Sequence, residues 1–176
     1  MKKIILLTCI SLLLSACSPE ASVTSETKPT ATTEFSWGKE SAKLQMAIRV
    51  TDDSLEICLK NNGTDTIKVC SHINAMDLDW ITIELKNSKD SIRTLRVGDA
   101  VRTGSQMNTK TLKGGESFFY YVDLNYWALQ EINSRKALAP GNYNLSVSYK
   151  AQDCFYPSKD YWNGEVSAGP LFYEVK

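Results

Sequence analysis

Apolar side chains recur at every second position through most of this chain, and that period suits a half-buried β-strand and little else. In "LQMAIRV" the residues Leu44, Met46, Ile48 and Val50 fall on one face, and in "LEICLKN" Leu55, Ile57 and Leu59 do the same. "TIKVCSH" points Ile67 and Val69 inward, and "WITIEL" alternates through Ile81, Ile83 and Leu85. A side-chain period of two assigns each residue to a core face or a solvent face, so these runs predict strands and their phase together.

The segments between the runs carry turn chemistry. "NNGTD" supplies Asn and Gly residues that tolerate positive φ, consistent with a hairpin or with a tight turn between sheets. The polar "KNSKD" precedes a short strand expected over residues 92–97. "LKGGESFFYYVDL" reads as a glycine turn followed by a strand, and "APGNYNLSVSYK" as a Pro-Gly turn and a strand through Tyr143, Leu145, Val147 and Tyr149. "GPLFYEVK" closes the chain as a further strand, and a helix of a turn or two is expected only within "NYWALQEINS". Seven or eight short strands separated by turns predict an all-β fold, an antiparallel β-sandwich. In "DLNYWALQE", Trp127 and Leu129 read as a crossover packed on the core.

The motifs "LKGGES", "PGNYNLSVSY" and "WNGEVSAGPLFYEV", with the opening "LKNNGT", resemble the immunoglobulin-like β-domain that precedes the catalytic domain of deuterolysin-type and peptidyl-lysine metalloendopeptidases. The resemblance spans about residues 44–175 and implies an immunoglobulin-like sandwich. It does not carry the peptidase activity over, because His72 is followed by isoleucine and the zinc-binding H-E-x-x-H helix of those enzymes has no counterpart here. Tyr143, two residues before Leu145, is similar to the tyrosine corner of immunoglobulin-like domains; leucine in place of cysteine there implies no core disulfide of that type. Trp162 matches the tryptophan of the family's W-x-G turn, which implies a structural role.

The amino-terminal residues address location. Lys2 and Lys3 precede an apolar run over residues 4–14 that is shorter than the roughly 20 residues of a membrane span, and Ser15-Ala16 follow it. The tetrapeptide "LSAC" resembles the lipobox of bacterial lipoproteins, which implies a signal peptide over residues 1–16 and a diacylglycerol on the Cys17 thiol. Ser18, rather than aspartate, after that cysteine implies the outer membrane facing the periplasm in a Gram-negative host. Residues 17–35 comprise the lipidated cysteine and "SPEASVTSETKPTATTE", a composition with too little apolar surface to order itself, so a disordered tether is expected. Residues 36–176 are enough for one sandwich domain.

Loss of the signal removes Lys2 and Lys3 and leaves 18 basic against 20 acidic side chains, with no polybasic cluster to attract nucleic acid. Besides Cys9 in the signal and Cys17, three cysteines remain in an oxidising compartment, at positions 58, 70 and 154. If "NNGTD" closes a hairpin, Cys58 faces Cys70 on the outward phase of both strands and the two can bridge; Cys154 competes as a partner.

Chemistry-bearing residues are sparse. With one histidine, any Ser-His-Asp or Cys-His system has to use His72, which follows Cys70 at a strand end and reads as a surface residue. His72, Cys70, Met76 and Met107 form the only conceivable soft-ligand set, of the kind a Cu(I) carrier uses, yet no ligand pair repeats at short spacing. Asp52, Asp53, Asp77 and Asp79 lack the glycine and spaced oxygens of a calcium loop. No catalytic residue, metal site or cofactor is therefore expected. In "CFYPSKDYWNG", Phe155, Tyr156, Tyr161 and Trp162 concentrate aromatic surface in a loop, where it either binds a partner or caps the sandwich. The expectation is a non-enzymatic, membrane-anchored envelope lipoprotein that binds a protein partner. An inhibitor or immunity-type protein against an envelope-directed enzyme and a copper carrier are the alternatives.

Overall fold

The computed structural model describes residues 34–51, 54–71, 80–95, 109–131, 134–150 and 161–176. Ten strands and one short helix occupy these residues. The first sheet orders β1 (Ser36–Trp37), β2 (Leu44–Thr51), β3 (Ser54–Asn61) and β8 (Ser117–Asp123) as β1-β2-β3-β8. The second orders β10 (Glu165–Val175), β9 (Gly141–Lys150), β5 (Ile81–Asn87) and β6 (Ile92–Leu95) as β10-β9-β5-β6. A third, small sheet pairs β4 (Ile67–Cys70) with β7 (Thr109–Leu112). Every strand pair is antiparallel, so the fold is all-β and sandwich-like.

Alternation dictates the core. Leu44, Met46 and Ile48 of β2, Leu55, Ile57 and Leu59 of β3, and Tyr120 and Val122 of β8 meet Ile81, Ile83 and Leu85 of β5 and Leu145, Val147 and Tyr149 of β9 in one apolar cluster. Full burial of each such aliphatic side chain contributes about 1.5–3 kcal/mol, so this cluster is the main favourable term. In β10 the inward phase changes from Val166 and Ala168 to Leu171, Tyr173 and Val175, because the pairing with β9 slips between Ala168 and Leu171. Gly169 sits at that slip with φ +107°. Only glycine adopts that backbone without strain, and the extra residue moves the apolar side chains back onto the core.

Both flanks of the sandwich are closed. On one, Gly38 lies so near β10 that a Cβ there would come within 1.7 Å of the Ser167 carbonyl oxygen. On the other, α1 (Leu124–Gln130) buries Leu124, Trp127 and Ala128, starting where the Asp123 carboxylate accepts from the Tyr126 N–H. Arg93 of β6 fixes the segment that follows α1, donating to the Ala128 carbonyl at 3.1 Å, the Ser134 hydroxyl at 3.0 Å and the Ala137 carbonyl at 3.0 Å, and pairing with Glu131 at 3.4 Å. Tyr143 donates to the Ala139 carbonyl at 2.9 Å, spanning the turn that opens β9.

The turn after β3 differs from a hairpin. β3 pairs with β2 and β8, and β4 pairs with β7, so Cys58 lies opposite Ala47 and Phe119 and not opposite Cys70. Asn61 is the cause: fully buried, its amide donates to the Asp65 carbonyl at 2.7 Å and the Leu112 carbonyl at 3.1 Å, and its side-chain oxygen accepts from Gly63 N–H at 2.9 Å. These bonds turn the chain out of the first sheet. The Cys58–Cys70 bridge is thereby corrected: Cys58 is free and buried, and Cys70 is disulfide-bonded to a cysteine outside the described residues. Cys70, expected outward, is also buried.

Candidate binding face on the first sheet

In the first sheet β8 puts aromatic rings on both faces, and β1 adds Trp37 to the outer one. The run "SFFYYVD" has four consecutive aromatics, so a strand that turns Phe118, Tyr120 and Val122 inward must turn Phe119 and Tyr121 outward. Trp37 of β1 pairs with Ala47 of β2, Ala47 with Cys58 of β3, and Cys58 with Phe119 of β8. These four residues form one row across the outer face. Two positions along lies a second row, Arg49, Glu56 and Tyr121.

The rings touch. Phe35 meets Trp37 at 6.4 Å between centroids and Phe119 at 6.0 Å, both tilted by 47°. The Arg49 guanidinium stands 4.3 Å above the Phe35 ring while its fork donates to the Glu56 carboxylate. Lys60 places its ammonium 5.8 Å from the Trp37 ring. Cation–ring contacts of this kind contribute about 0.5–1 kcal/mol at exposed sites, and they fix the rings in place. Trp37 is 46% exposed, Phe119 42% and Tyr121 67%, while Ala47 and Cys58 beneath them are buried. Burial raises the Cys58 thiol above its ordinary range, with a Ser117 hydrogen bond and Lys60 opposing, which keeps it in the protonated form.

Arranged this way, the face offers exposed polarisable rings rimmed by two cations and one carboxylate. The outer face of the second sheet is different in kind: a shallow depression of about 290 Å³ lined by Glu84, Lys86, Ile92, Asn144, Ser146 and Pro170.

Of the loop expected to bind, Tyr161 and Trp162 lie within the described residues. Trp162 is buried, stacks on Tyr149 at 5.8 Å and donates its indole N–H to the Ala42 carbonyl at 3.0 Å, so it is packed and not presented. Tyr161 is half-buried, bridged to Lys68 in parallel, with the Lys68 ammonium 5.8 Å from its ring. Phe155 and Tyr156 lie outside the described residues, as do Cys17, Cys154, His72, Met76 and Met107. Trp127 packs on the core as expected, whereas Leu129 is 46% exposed on the outer side of α1. Among the described residues no group of three His, Cys, Asp or Glu side chains could hold a metal ion.

Periodicity alone does not single out Phe35, Trp37, Phe119 and Tyr121. The signal was present in "FFYY", since alternation cannot bury four successive aromatics on one face. For β1 no such signal exists, because two residues show no period. No protein-family model, no curated protein and no solved structure significantly matches this chain.

Proposed function

We propose that this chain is a lipid-anchored, non-enzymatic binding module of the cell envelope, and that its binding surface is the aromatic outer face of the first sheet. The observation that carries the reading is the exposure of Trp37 on one edge strand and of Phe119 and Tyr121 on the other, all on one face, with the Phe35 ring in contact with both Trp37 and Phe119. Large rings held rigidly in water lose little entropy on binding and gain apolar burial, which is why contiguous exposed patches mark interaction sites. The basic, apolar and small-residue order before Cys17 supports the anchor. The Tyr143 to Ala139 hydrogen bond supports an immunoglobulin-like arrangement, in which a corner tyrosine reaches back to backbone a few residues upstream.

The test is a photo-crosslinking amino acid at position 121 in growing cells, with the same group at position 86 on the second sheet as the control. A discrete adduct at 121 that is absent at 86 and lost with Phe119→Ser supports the reading. Equal or no labelling at the two positions refutes it. Acyl labelling of the wild type and of Cys17→Ser tests the anchor separately.

A further inference from the structure

We propose that the aromatic face of the first sheet docks on the polar–apolar interface of the bilayer that holds Cys17. The inference rests on the reading of Cys17 as the lipidated residue and names the first partner of the face proposed above.

Position in the chain is the first argument. The described residues open at Glu34, and the next residue, Phe35, is already part of the face, in ring contact with Trp37 and Phe119. Cys17 precedes Glu34 by 17 residues. A coil of that length has ends about 25 Å apart and cannot exceed about 60 Å. A tether of that span keeps Phe35, at the start of this face, within reach of the membrane. Tethering at that range makes docking intramolecular, with an effective concentration on the millimolar scale, so a weak intrinsic affinity suffices.

Side-chain chemistry is the second. Trp and Tyr rings are favoured at the headgroup level, where an apolar body and a polar tip are both satisfied, and Lys and Arg are attracted to anionic headgroups. The face combines Trp37, Tyr121, Phe35 and Phe119 with the Lys60 ammonium and with Arg49, whose charge is paired with Glu56, which leaves one net positive charge. Placement is the third: Trp37, Phe119 and Tyr121 lie on two neighbouring rows of one sheet face, which suits a broad, deformable surface. The outer face of the second sheet exposes Ile92 and Phe172 among Glu84, Lys86, Asn144 and Ser146, and its described strand residues put no tryptophan or tyrosine there.

The protein carries its own probe. Of 4 tryptophans, Trp80, Trp127 and Trp162 are buried, leaving Trp37 as the exposed one. The full lipidated chain is reconstituted into phosphatidylethanolamine–phosphatidylglycerol vesicles with plain or brominated acyl chains. Docking predicts that bromination quenches tryptophan emission, that Trp37→Phe abolishes the difference, and that aqueous acrylamide quenches Trp37 less on vesicles than in detergent micelles. Tyr121→Ser with Phe119→Ser should reduce the bromine effect while the far-ultraviolet dichroism stays that of the wild type. Emission equal in plain and brominated vesicles, with acrylamide access unchanged, overturns the proposal. So does protection of Trp37 in micelles that rises with protein concentration, which assigns the face to a second copy. A protein adduct at position 121 together with no bromine effect refutes bilayer docking and leaves the binding module standing.

Discussion

Tyr120 and Tyr149 come from opposite sheets and hold the two backbone groups of a single residue. The Tyr149 hydroxyl accepts from the Cys70 N–H at 3.0 Å, and the Tyr120 hydroxyl donates to the Cys70 carbonyl. Cys70 lies in the small third sheet, so these two phenols pin that sheet between the two large ones. Tyr149→Phe leaves a buried N–H unpaired and Tyr120→Phe leaves a buried carbonyl unpaired. Each is expected to lower stability by about 1–3 kcal/mol, measured by urea unfolding, with little change in the denaturant slope.

The same pair predicts an alkaline limit. Burial pushes the Tyr149 hydroxyl up to about 12, against a smaller opposing effect of its Cys70 hydrogen bond, and burial raises Tyr120 further still. A free phenol ionises near pH 10, so the unfolded chain releases protons there that the folded chain retains. The stabilisation is complete below about pH 10 and is lost as pH rises through the folded values. A phenolate absorbance titration followed alongside circular dichroism should show Tyr120 and Tyr149 ionising only as structure is lost. A reversible phenolate step near pH 10 that disappears in Tyr149→Phe or in Tyr120→Phe, with the fold intact, would contradict this.

Asn61→Leu should be among the most damaging single changes. Leucine keeps the volume but leaves the Leu112 carbonyl and Gly63 N–H without their partner in a fully buried site. The expected loss is about 2–4 kcal/mol, and amide exchange should accelerate in β4 and β7 before it does in β2 and β3.

Arg93→Ala removes the fork that joins β6 to the backbone after α1 and strands the Glu131 carboxylate, whose side chain is 7% exposed. Thermal unfolding should report a loss of about 3 kcal/mol or more, and Glu131→Gln in the same chain should recover part of it. A double variant no better than Arg93→Ala would locate the loss in the backbone bonds instead.

Thiol chemistry should separate Cys58 from the rest. Its burial under Trp37 and Phe119 predicts no alkylation in the native state and rapid reaction in urea. For Cys70, its N–H donates to the Tyr149 hydroxyl and the Trp162 N–H donates to the Lys68 carbonyl, so residues on both sides of the segment 151–160 reach β4. Non-reducing peptide mapping is therefore expected to join Cys70 to Cys154, and a Cys58 peptide in any bridge would refute the assignment.

Period-two alternation foretold β2, β3, β5 and β9 nearly to the residue, because each has one face in the core and one in water. Partnership was not legible in the same way. That β3 continues to β8 and not to β4 depends on Asn61, whose role as a buried hub is a three-dimensional fact that its polar side chain argues against. β7, at four residues with only Leu112 buried, falls below the length at which a period can be read. The aromatic loop drew attention because its rings sit among turn residues, yet Trp162 is satisfied by the core. Meanwhile Phe119 and Tyr121 passed as ordinary strand residues because β-propensity and exposure favour the same side chains.

β1 meets β2 through only two residue pairs, Ser36 with Ile48 and Trp37 with Ala47, and it is the first strand of the described residues. Tension on the chain at Glu34 would load these two pairs before any other part of the sandwich. Phe35 and Trp37 leave the face when β1 detaches, while Phe119 and Tyr121 stay on β8. The face is then a mechanical fuse, whole at rest and halved under pull, and a force ramp applied through residue 34 should record a short, low-force extension ahead of the main rupture.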